Sequence, residues 1–191
     1  MTRHTDFRFV QKESPSKGDY FDICYTYVFF IRFNDIKTQK PCKLKYVIRA
    51  EIYGEVIAVK FYCSRDRKSQ HDFYSLAHEQ LNPSAVLTIL NNCLKVINIS
   101  IYQFPNCSFI FKGAEAYDPR SQKWENENNN QRFRIYKHFI GKKIGTSLFT
   151  HKIYEEQSIY MLIRHQNKIT DSEKGDQLID MMYSRFGLKD E

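Results

Sequence analysis

The 191-residue chain has few of the residues that mark specialised classes of protein. Its seven glycines and five prolines exclude collagen-like and proline-rich sequences of low complexity. Its five cysteines include no CxxC pair, so neither a zinc ribbon nor a thioredoxin-type site is indicated. An odd number of scattered cysteines is typical of free thiols in a reducing compartment. We therefore expect a cytoplasmic protein that holds no metal and no cofactor.

Long hydrophobic runs are also missing. The longest run near the N-terminus, residues 25–33, is interrupted by Arg32 and is far shorter than the roughly 20 residues of a membrane helix. Residues 1–12 mix charged with aromatic side chains and contain no apolar stretch. We therefore expect neither a signal peptide nor a membrane partner.

The common catalytic fingerprints are absent as well. The sequence contains no Walker A loop and no GxGxxG, GxSxG or HExxH motif, which removes several large enzyme classes. What it does contain is 15 Phe and 13 Tyr, a composition that argues against intrinsic disorder. A chain of this length favours one domain, here residues 1–191.

The hydrophobic periodicity predicts a mixed fold. Alternating or continuous apolar runs predict strands at residues 25–33, 43–52, 56–63, 107–112, 146–154 and 158–164. Apolar residues three or four apart predict helices at residues 83–104, 131–144 and from 170 onward, and a short helix at 72–80. The sequence therefore predicts a single α+β domain, in which about three helices pack on an antiparallel-rich sheet in the order β-β-β-α-β-α-β-β-α.

Residues 113–130 interrupt this pattern. They are acidic and Asn-rich and contain Trp124, the single tryptophan of the chain. We expect a flexible, exposed loop whose carboxylates are solvated, because a metal-dependent nuclease needs carboxylates that are held rigidly. An arrangement in which this loop folds over the helix at 131–143 and masks it stays open.

Positive charge is concentrated in one part of the chain. Lys and Arg total 29 against 22 Asp and Glu, a net charge of +7, and residues 128–154 contain no acid. The segment QRFRIYKHFIGKK at 131–143 interleaves basic with aromatic side chains. Arginine makes two-point contacts with phosphate, and aromatic rings stack on bases, so this pattern suits nucleic acid. The alternative is an ordinary amphipathic helix with a basic solvated face.

The candidate nucleic-acid-binding residues follow from this segment. Helical spacing predicts that Phe133, Tyr136 and Ile140 point inward, whereas Arg132, Arg134, Lys137 and His138 point largely outward. Lys112 joins the set because it ends a strand, and α/β proteins place ligands at the carboxyl ends of strands. The complete candidate set is Lys112, Arg132, Arg134, Tyr136, Lys137, His138, Lys142 and Lys143.

Residues 82–164 resemble a family of small uncharacterised bacterial proteins. The resemblance is carried by NPSAVLTILNNCLKVI, NCSFIFKGAEAYD, NQRFRIYKHFI and the hairpin that ends SIYMLIRHQN. The family shares a long helix, a short strand ending in a polar loop, and an ARFR-aromatic-x-x-aromatic-aromatic helix before a final hairpin. Residues 131–134 and 136–139 match that block, whereas the loop at 115–130 is longer than the family pattern. The resemblance covers a little under half the chain and implies a topology, with no activity attached.

The sequence is compatible with three functions. The first is a nucleic-acid-associated protein that binds DNA or RNA through the basic segment, as in toxin–antitoxin or phage-defence systems. The second is a protein-interaction module anchored by exposed aromatic residues such as Tyr117 and Trp124. The third is a metal-independent RNase, with His138 or His151 as general acid or base.

Overall fold

The computed structural model describes residues 6–68, 81–115, 117–118, 121–165 and 171–186. The strands are β1 (Arg8–Glu13), β2 (Ile23–Asn34), β3 (Pro41–Tyr53), β4 (Val56–Cys63), β5 (Ser108–Lys112), β6 (Tyr117–Asp118), β7 (Lys123–Trp124), β8 (Phe149–Tyr154) and β9 (Ile159–Arg164). The helices are α1 (Pro83–Gln103), α2 (Gln131–Lys143) and α3 (Asp171–Phe186), with a short 3₁₀ turn at Ser64–Asp66.

Seven of these strands form one sheet in the order β1-β2-β3-β4-β5-β9-β8. The first four strands are an antiparallel meander, since each strand pairs with the strand that precedes it along the chain. The turn between β3 and β4 contains Gly54 at φ +59°, a left-handed conformation that glycine adopts without steric cost. β5, β9 and β8 form a second antiparallel group.

The two groups meet in a parallel pair, β4 with β5. Only three residue pairs make this ladder, from Val56–Ser108 to Ala58–Ile110. A parallel neighbour needs a long crossover, and α1 is part of that connection. The Asn82 side chain accepts a hydrogen bond from the backbone N–H of Ala85 and caps the helix.

Helix α1 lies across the sheet. With 21 residues, it is the one helix in the described part of the chain that is long and apolar enough to cross a bilayer. Its apolar side instead packs against the sheet, where Ile89, Val96 and Ile97 are buried. It therefore occupies the position of a core helix.

The sheet has two apolar faces. The front face, covered by α1 and α2, carries large aromatic side chains, among them Phe29, Tyr46 and Phe109. The back face is covered by α3 over β9 and its neighbours, where Met161 and Met182 pack together in one cluster. Successive side chains of a strand point to opposite faces of the sheet. A nearly continuous apolar run such as β4 therefore contributes buried side chains to both faces.

A network of charged groups crosses the back face beyond α3. The Glu51 carboxylate, largely buried, accepts hydrogen bonds from Arg49 Nε at 3.0 Å and Tyr53 Oη at 2.6 Å, and it pairs with Lys60 Nζ at 2.6 Å. Arg49 Nη1 also lies 3.1 Å from Glu13 Oε2. Burial raises the pKa of Glu51, but the charges and hydrogen bonds of its partners outweigh burial and leave that pKa below its ordinary value.

The predicted fold class and element order are confirmed, with two additions. β1 forms an extra edge strand, and β6 and β7 form a small hairpin in the segment expected to be a loop, where Tyr117 packs on Trp124 with ring centroids 5.3 Å apart. The short helix predicted at 72–80 lies outside the described residues.

Candidate functional site

A cleft opens where β4 and β5 separate. Their ladder stops after Ala58 and Ile110, although both strands continue beyond that point. The cleft opens between the residues that follow Ala58 in β4 and those that follow Ile110 in β5. Its volume of about 320 Å³ is within the range of small-molecule pockets. It lies at the carboxyl ends of the parallel pair β4 and β5. Open α/β sheets commonly bind ligands outside the carboxyl ends of their strands.

The walls of the cleft are mostly apolar and come from both faces of the sheet. Val59 and Phe61 line it from the front face, together with Tyr136 of α2. Ile179 and Met182 of α3 close it from the back. Charged side chains enter the lining at four positions, which are Lys60, Lys112, Glu115 and Arg132. The cleft therefore combines an apolar interior with a small number of charged groups.

Arg132 is the most unusual of these charged residues. Its side chain leaves the first turn of α2 and is almost completely buried, with 6% of the residue exposed. The guanidinium lies over the ring of Phe61, 5.2 Å from the ring centroid, a favourable cation–π distance. Its Nη2 atom is buried without a hydrogen-bond partner, and within the described ranges no carboxylate forms an ion pair with it.

The groups around Arg132 are neutral. Burial raises the pKa of Tyr136 to about 12, and the positive charge of Arg132 opposes only part of that rise. Tyr46 is fully buried, and its hydroxyl also lacks a hydrogen-bond partner. Burial likewise raises the pKa of the Cys93 thiol, which keeps it protonated. These three side chains offer the guanidinium no negative charge, and no carboxylate of the described residues forms an ion pair with it.

The start of α2 is held rigidly against the end of β5. Asn130 Oδ1 accepts a hydrogen bond from the Phe133 N–H at 2.9 Å, and Asn130 Nδ2 donates to the Gly113 carbonyl at 2.8 Å. The Asn130 N–H donates to Ser158 Oγ at 3.0 Å. A Cβ atom at position 113 would lie 2.2 Å from Asn130 Oδ1, so this close approach requires glycine. The anchored first turn directs Arg132 into the cleft.

The exposed side of α2 carries a stripe of cations. We call Arg134, Lys137, His138, Lys142 and Lys143 the basic surface of α2, since all five are exposed. Lys137 Nζ pairs with Glu155 at 2.6 Å, and Arg134 Nη2 lies 3.9 Å from Glu125. No carboxylate among the described residues pairs with Lys142 or Lys143. The C-terminal half of the stripe therefore keeps its charge.

One predicted orientation was wrong, because Arg132, expected to point outward, lies in the cleft. Tyr136 points inward as predicted, and at 6% exposure it leaves little of its ring for the stacking on bases for which it was also a candidate. The cause is the cleft, which accepts a long side chain under the first turn of α2 and widens the buried side of the helix beyond the predicted stripe. Lys112 also lines the cleft, and its Nζ pairs with Glu127 at 3.0 Å.

The acidic segment reaches the start of α2 but does not mask the helix, which was the arrangement that the sequence left open. Glu125 Oε1 accepts a hydrogen bond from the Gln131 N–H at the start of the helix. Ser158 Oγ donates to the Glu127 carbonyl and fixes the segment to the turn before β9. These contacts hold the segment at the start of α2 and leave all five side chains of the basic surface exposed.

The two histidines considered for RNA cleavage lie in different surroundings. His138 is exposed on α2. His151 on β8 has its Nδ1 atom 2.5 Å from the Tyr160 hydroxyl, and its Nε2 atom is buried without a hydrogen-bond partner. An imidazole with both nitrogens turned inward is poorly placed to exchange protons with an RNA substrate. The described residues contain no group of three potential metal ligands.

Sequence reasoning missed most of the cleft. Phe61 and Ile110 were recognised as strand residues, but the separation of β4 from β5 depends on pairing between distant segments. The step from Lys112 to Gly113 was the available signal, because it marked the end of a buried strand.

Fold and site together define an α+β protein with a ligand-sized cleft beside a basic helix. Comparison of the chain with models of known families, with curated proteins and with solved structures finds no match.

Proposed function

We propose that the protein is a cytoplasmic nucleic-acid-binding protein, which contacts the phosphate backbone through the basic surface of α2. The observation that carries this proposal is the alignment of its basic side chains. Residues 134, 137, 138 and 142 follow the three- and four-residue spacing of one helix face, and all are exposed.

The dimensions of the stripe suit several phosphates. Eight residues separate Arg134 from Lys142, a length of about 12 Å along a helix. This is roughly the span of four nucleotides along one strand of a duplex. Lys142 and Lys143 lie in the last turn of α2, where the negative end of the helix dipole favours cations. The surface is therefore a compact binding site for a short stretch of backbone.

The state of the cysteines supports the cytoplasmic part of the proposal. All five are free thiols, and Cys42 alone is not fully buried. Proteins of oxidising compartments more often carry disulfides.

Fluorescence anisotropy with labelled single- and double-stranded DNA and RNA, measured across a salt series, tests the proposal. We expect log affinity to fall linearly with log salt, with a slope of about −3 for three or four phosphate contacts. Replacement of Lys142 and Lys143 by Glu is expected to weaken binding at low salt by at least roughly tenfold.

The matched control reverses two exposed lysines in the turn between β2 and β3. Lys37→Glu with Lys40→Glu changes the net charge by the same amount and leaves α2 untouched. We expect this variant to bind like the unmodified protein. Equal losses in both double variants would show that net charge alone attracts the nucleic acid, and absence of binding at low salt would refute the proposal.

The protein-interaction alternative has one supporting observation. Trp124 is 49% exposed and sits on the β6–β7 hairpin, where a partner could reach it. A large, half-exposed aromatic side chain is typical of an interface anchor. If no nucleic acid binds, a Trp124→Ala variant in a partner-capture experiment distinguishes this function from the first.

A further inference from the structure

The buried guanidinium of Arg132 lacks a counter-charge. Buried charges in proteins are normally paired, because removing an ion from water without compensation is costly. The ring of Phe61 compensates only in part, since it carries no net charge. A cation in this state, at the wall of an open cleft, is suited to an anion that enters from solution.

The neighbouring carboxylates are engaged elsewhere or exposed. Glu51 is occupied by Arg49, Tyr53 and Lys60 on the back face. Glu127 pairs with Lys112 at 3.0 Å. Glu115 lines the cleft but is exposed to solvent. Asp66 is buried and acts, like Arg132, on the hydroxyl of Tyr46, but its carboxylate pairs with Arg65 Nε at 3.3 Å. No carboxylate in the described part of the chain therefore pairs with Arg132.

We propose that the cleft binds an aliphatic carboxylate, a small ligand with one negative charge and an apolar chain. The carboxylate group of this ligand pairs with Arg132. The planar guanidinium matches a carboxylate in a two-point contact. The chain of the ligand packs against Val59, Ile110 and the α3 residues Ile179 and Met182.

The composition of the cleft selects this class over more polar anions. The walls around Val59, Ile110 and Ile179 are apolar and offer few donors to the hydroxyl groups of a sugar. A single unpaired cation balances one negative charge, whereas a phosphate monoester carries up to two near neutral pH. Lys60 and Lys112 already have carboxylate partners at 2.6 and 3.0 Å.

Calorimetric titration with octanoate tests the proposal, with 1-octanol and acetate as comparison probes. Octanoate is expected to bind in saturable fashion and more tightly than either probe, because it satisfies both the cation and the apolar wall. Butanoate, hexanoate and octanoate should gain about fourfold in affinity per added methylene, the effect of burying one CH₂ group. Equal binding of octanoate and 1-octanol would overturn the pairing with Arg132.

Substitutions on α2 test whether the ligand binds at Arg132. Arg132→Met removes the positive charge but retains a side chain of similar length. We expect it to weaken octanoate binding by about 10- to 100-fold, the range for a lost charged hydrogen bond. Arg134→Met, two residues away on the exposed side of α2, should bind octanoate like the unmodified protein. Unchanged binding in Arg132→Met would refute the inference.

A third variant keeps the test decisive if Arg132→Met fails to fold. Ala58 lines the cleft, and Ala58→Met places a larger side chain there without changing any charge. We expect this variant to lose octanoate binding, because the added side chain occupies the space of the ligand's apolar chain. Full octanoate binding by Ala58→Met would show that the ligand sits elsewhere.

This inference stands apart from nucleic-acid binding. Arg132 lies in the cleft, whereas Lys142 and Lys143 lie on the exposed side of α2. Replacement of the two lysines by Glu should leave octanoate affinity unchanged, and Arg132→Met should leave nucleic-acid affinity unchanged. Failure of one proposal is therefore visible without failure of the other.

Discussion

Arg132 shows how a single side chain can oppose the stability of the fold around it. Its guanidinium is buried among the neutral groups of Phe61, Tyr136 and Cys93, and no carboxylate of the described residues pairs with it. Functional sites often contain groups of this kind, because the ligand rather than the protein completes the interaction.

Arg132→Met is expected to stabilise the free protein by about 1 kcal/mol. Methionine fills similar space without a buried charge, and this gain exceeds the lost cation–π contact with Phe61. Urea unfolding at pH 7 measures the change in free energy of unfolding. A clear loss of stability would show that the guanidinium is structural in the free protein.

Gly113 is a second residue with a defined steric role. A methyl group there would overlap Asn130 Oδ1 and lie 2.8 Å from the Phe133 nitrogen. Gly113→Ala should therefore lower the free energy of unfolding by about 1–3 kcal/mol, the usual cost of overpacking. Gly145→Ala is the matched control, since a Cβ atom there meets nothing within 4 Å, and its φ is not positive. Similar effects at both positions would contradict the steric argument.

At the scale of single residues, the sequence predicted side-chain direction well where a helix packs on a flat sheet. Phe133, Tyr136 and Ile140 are inward as expected. Arg132 could not be placed, because its burial depends on a gap between two strands that are far apart in the sequence. Hydrophobic periodicity predicts which side of a helix is buried. It does not predict a cleft, which is formed by other elements that pack against that helix.

At the scale of elements, the helix starts follow from local chemistry that is visible in the sequence. Asn82 and Asn130 both cap helices with their side-chain oxygens. Pro83 occupies the first turn of α1, where its missing N–H costs nothing. β1 was missed because nearly all of its residues are exposed and it pairs only along the edge of the sheet.

The two caps are expected to differ in strength. Asn82→Ala should cost about 1 kcal/mol, the typical value of a lost N-cap hydrogen bond. Asn130→Ala should cost about 2 kcal/mol or more, because the same side chain also donates to the buried Gly113 carbonyl. Thermal or urea unfolding of both variants makes the comparison. Equal costs would show that the contact with Gly113 adds nothing.

At the scale of the whole molecule, the charged network on the back face links stability to pH. Folding lowers the pKa of Glu51 and of Glu13, so both carboxylates stabilise the folded state above pH 4.5, their ordinary value. That contribution is lost as the pH falls through the lowered pKa values. Stability should therefore decline steeply below about pH 4.5.

Glu51→Gln tests this dependence. The variant should lose about 2–3 kcal/mol at pH 7, because Arg49 and Lys60 keep their charges without the central carboxylate. The difference from the parent should shrink as the pH falls below 4.5, because the parent carboxylate becomes neutral as the pH passes through its lowered pKa. Asp6→Asn is the control, since its ion pair with Arg32 is exposed on both sides and contributes little. A constant difference across pH would contradict the assignment.

The overall architecture was within reach of the sequence because most of its contacts are between neighbours. β2, β3 and β4 follow one another along the chain and pair in that order. The parallel placement of β5 beside β4, which creates the cleft, required the path of α1 across the front face. That path is set by packing between distant residues, and the periodicity of α1 shows only which side is apolar.

The short ladder between β4 and β5 has a consequence for motion. Within the described residues, these three pairs are the sole strand pairing that joins the first four strands to the last three. Amide hydrogens in the long β2–β3 ladder should exchange with solvent last, whereas those at the three-pair seam should exchange earlier, through partial opening of the sheet. An occupant of the cleft, in contact with both β4 and β5, should slow exchange at this seam.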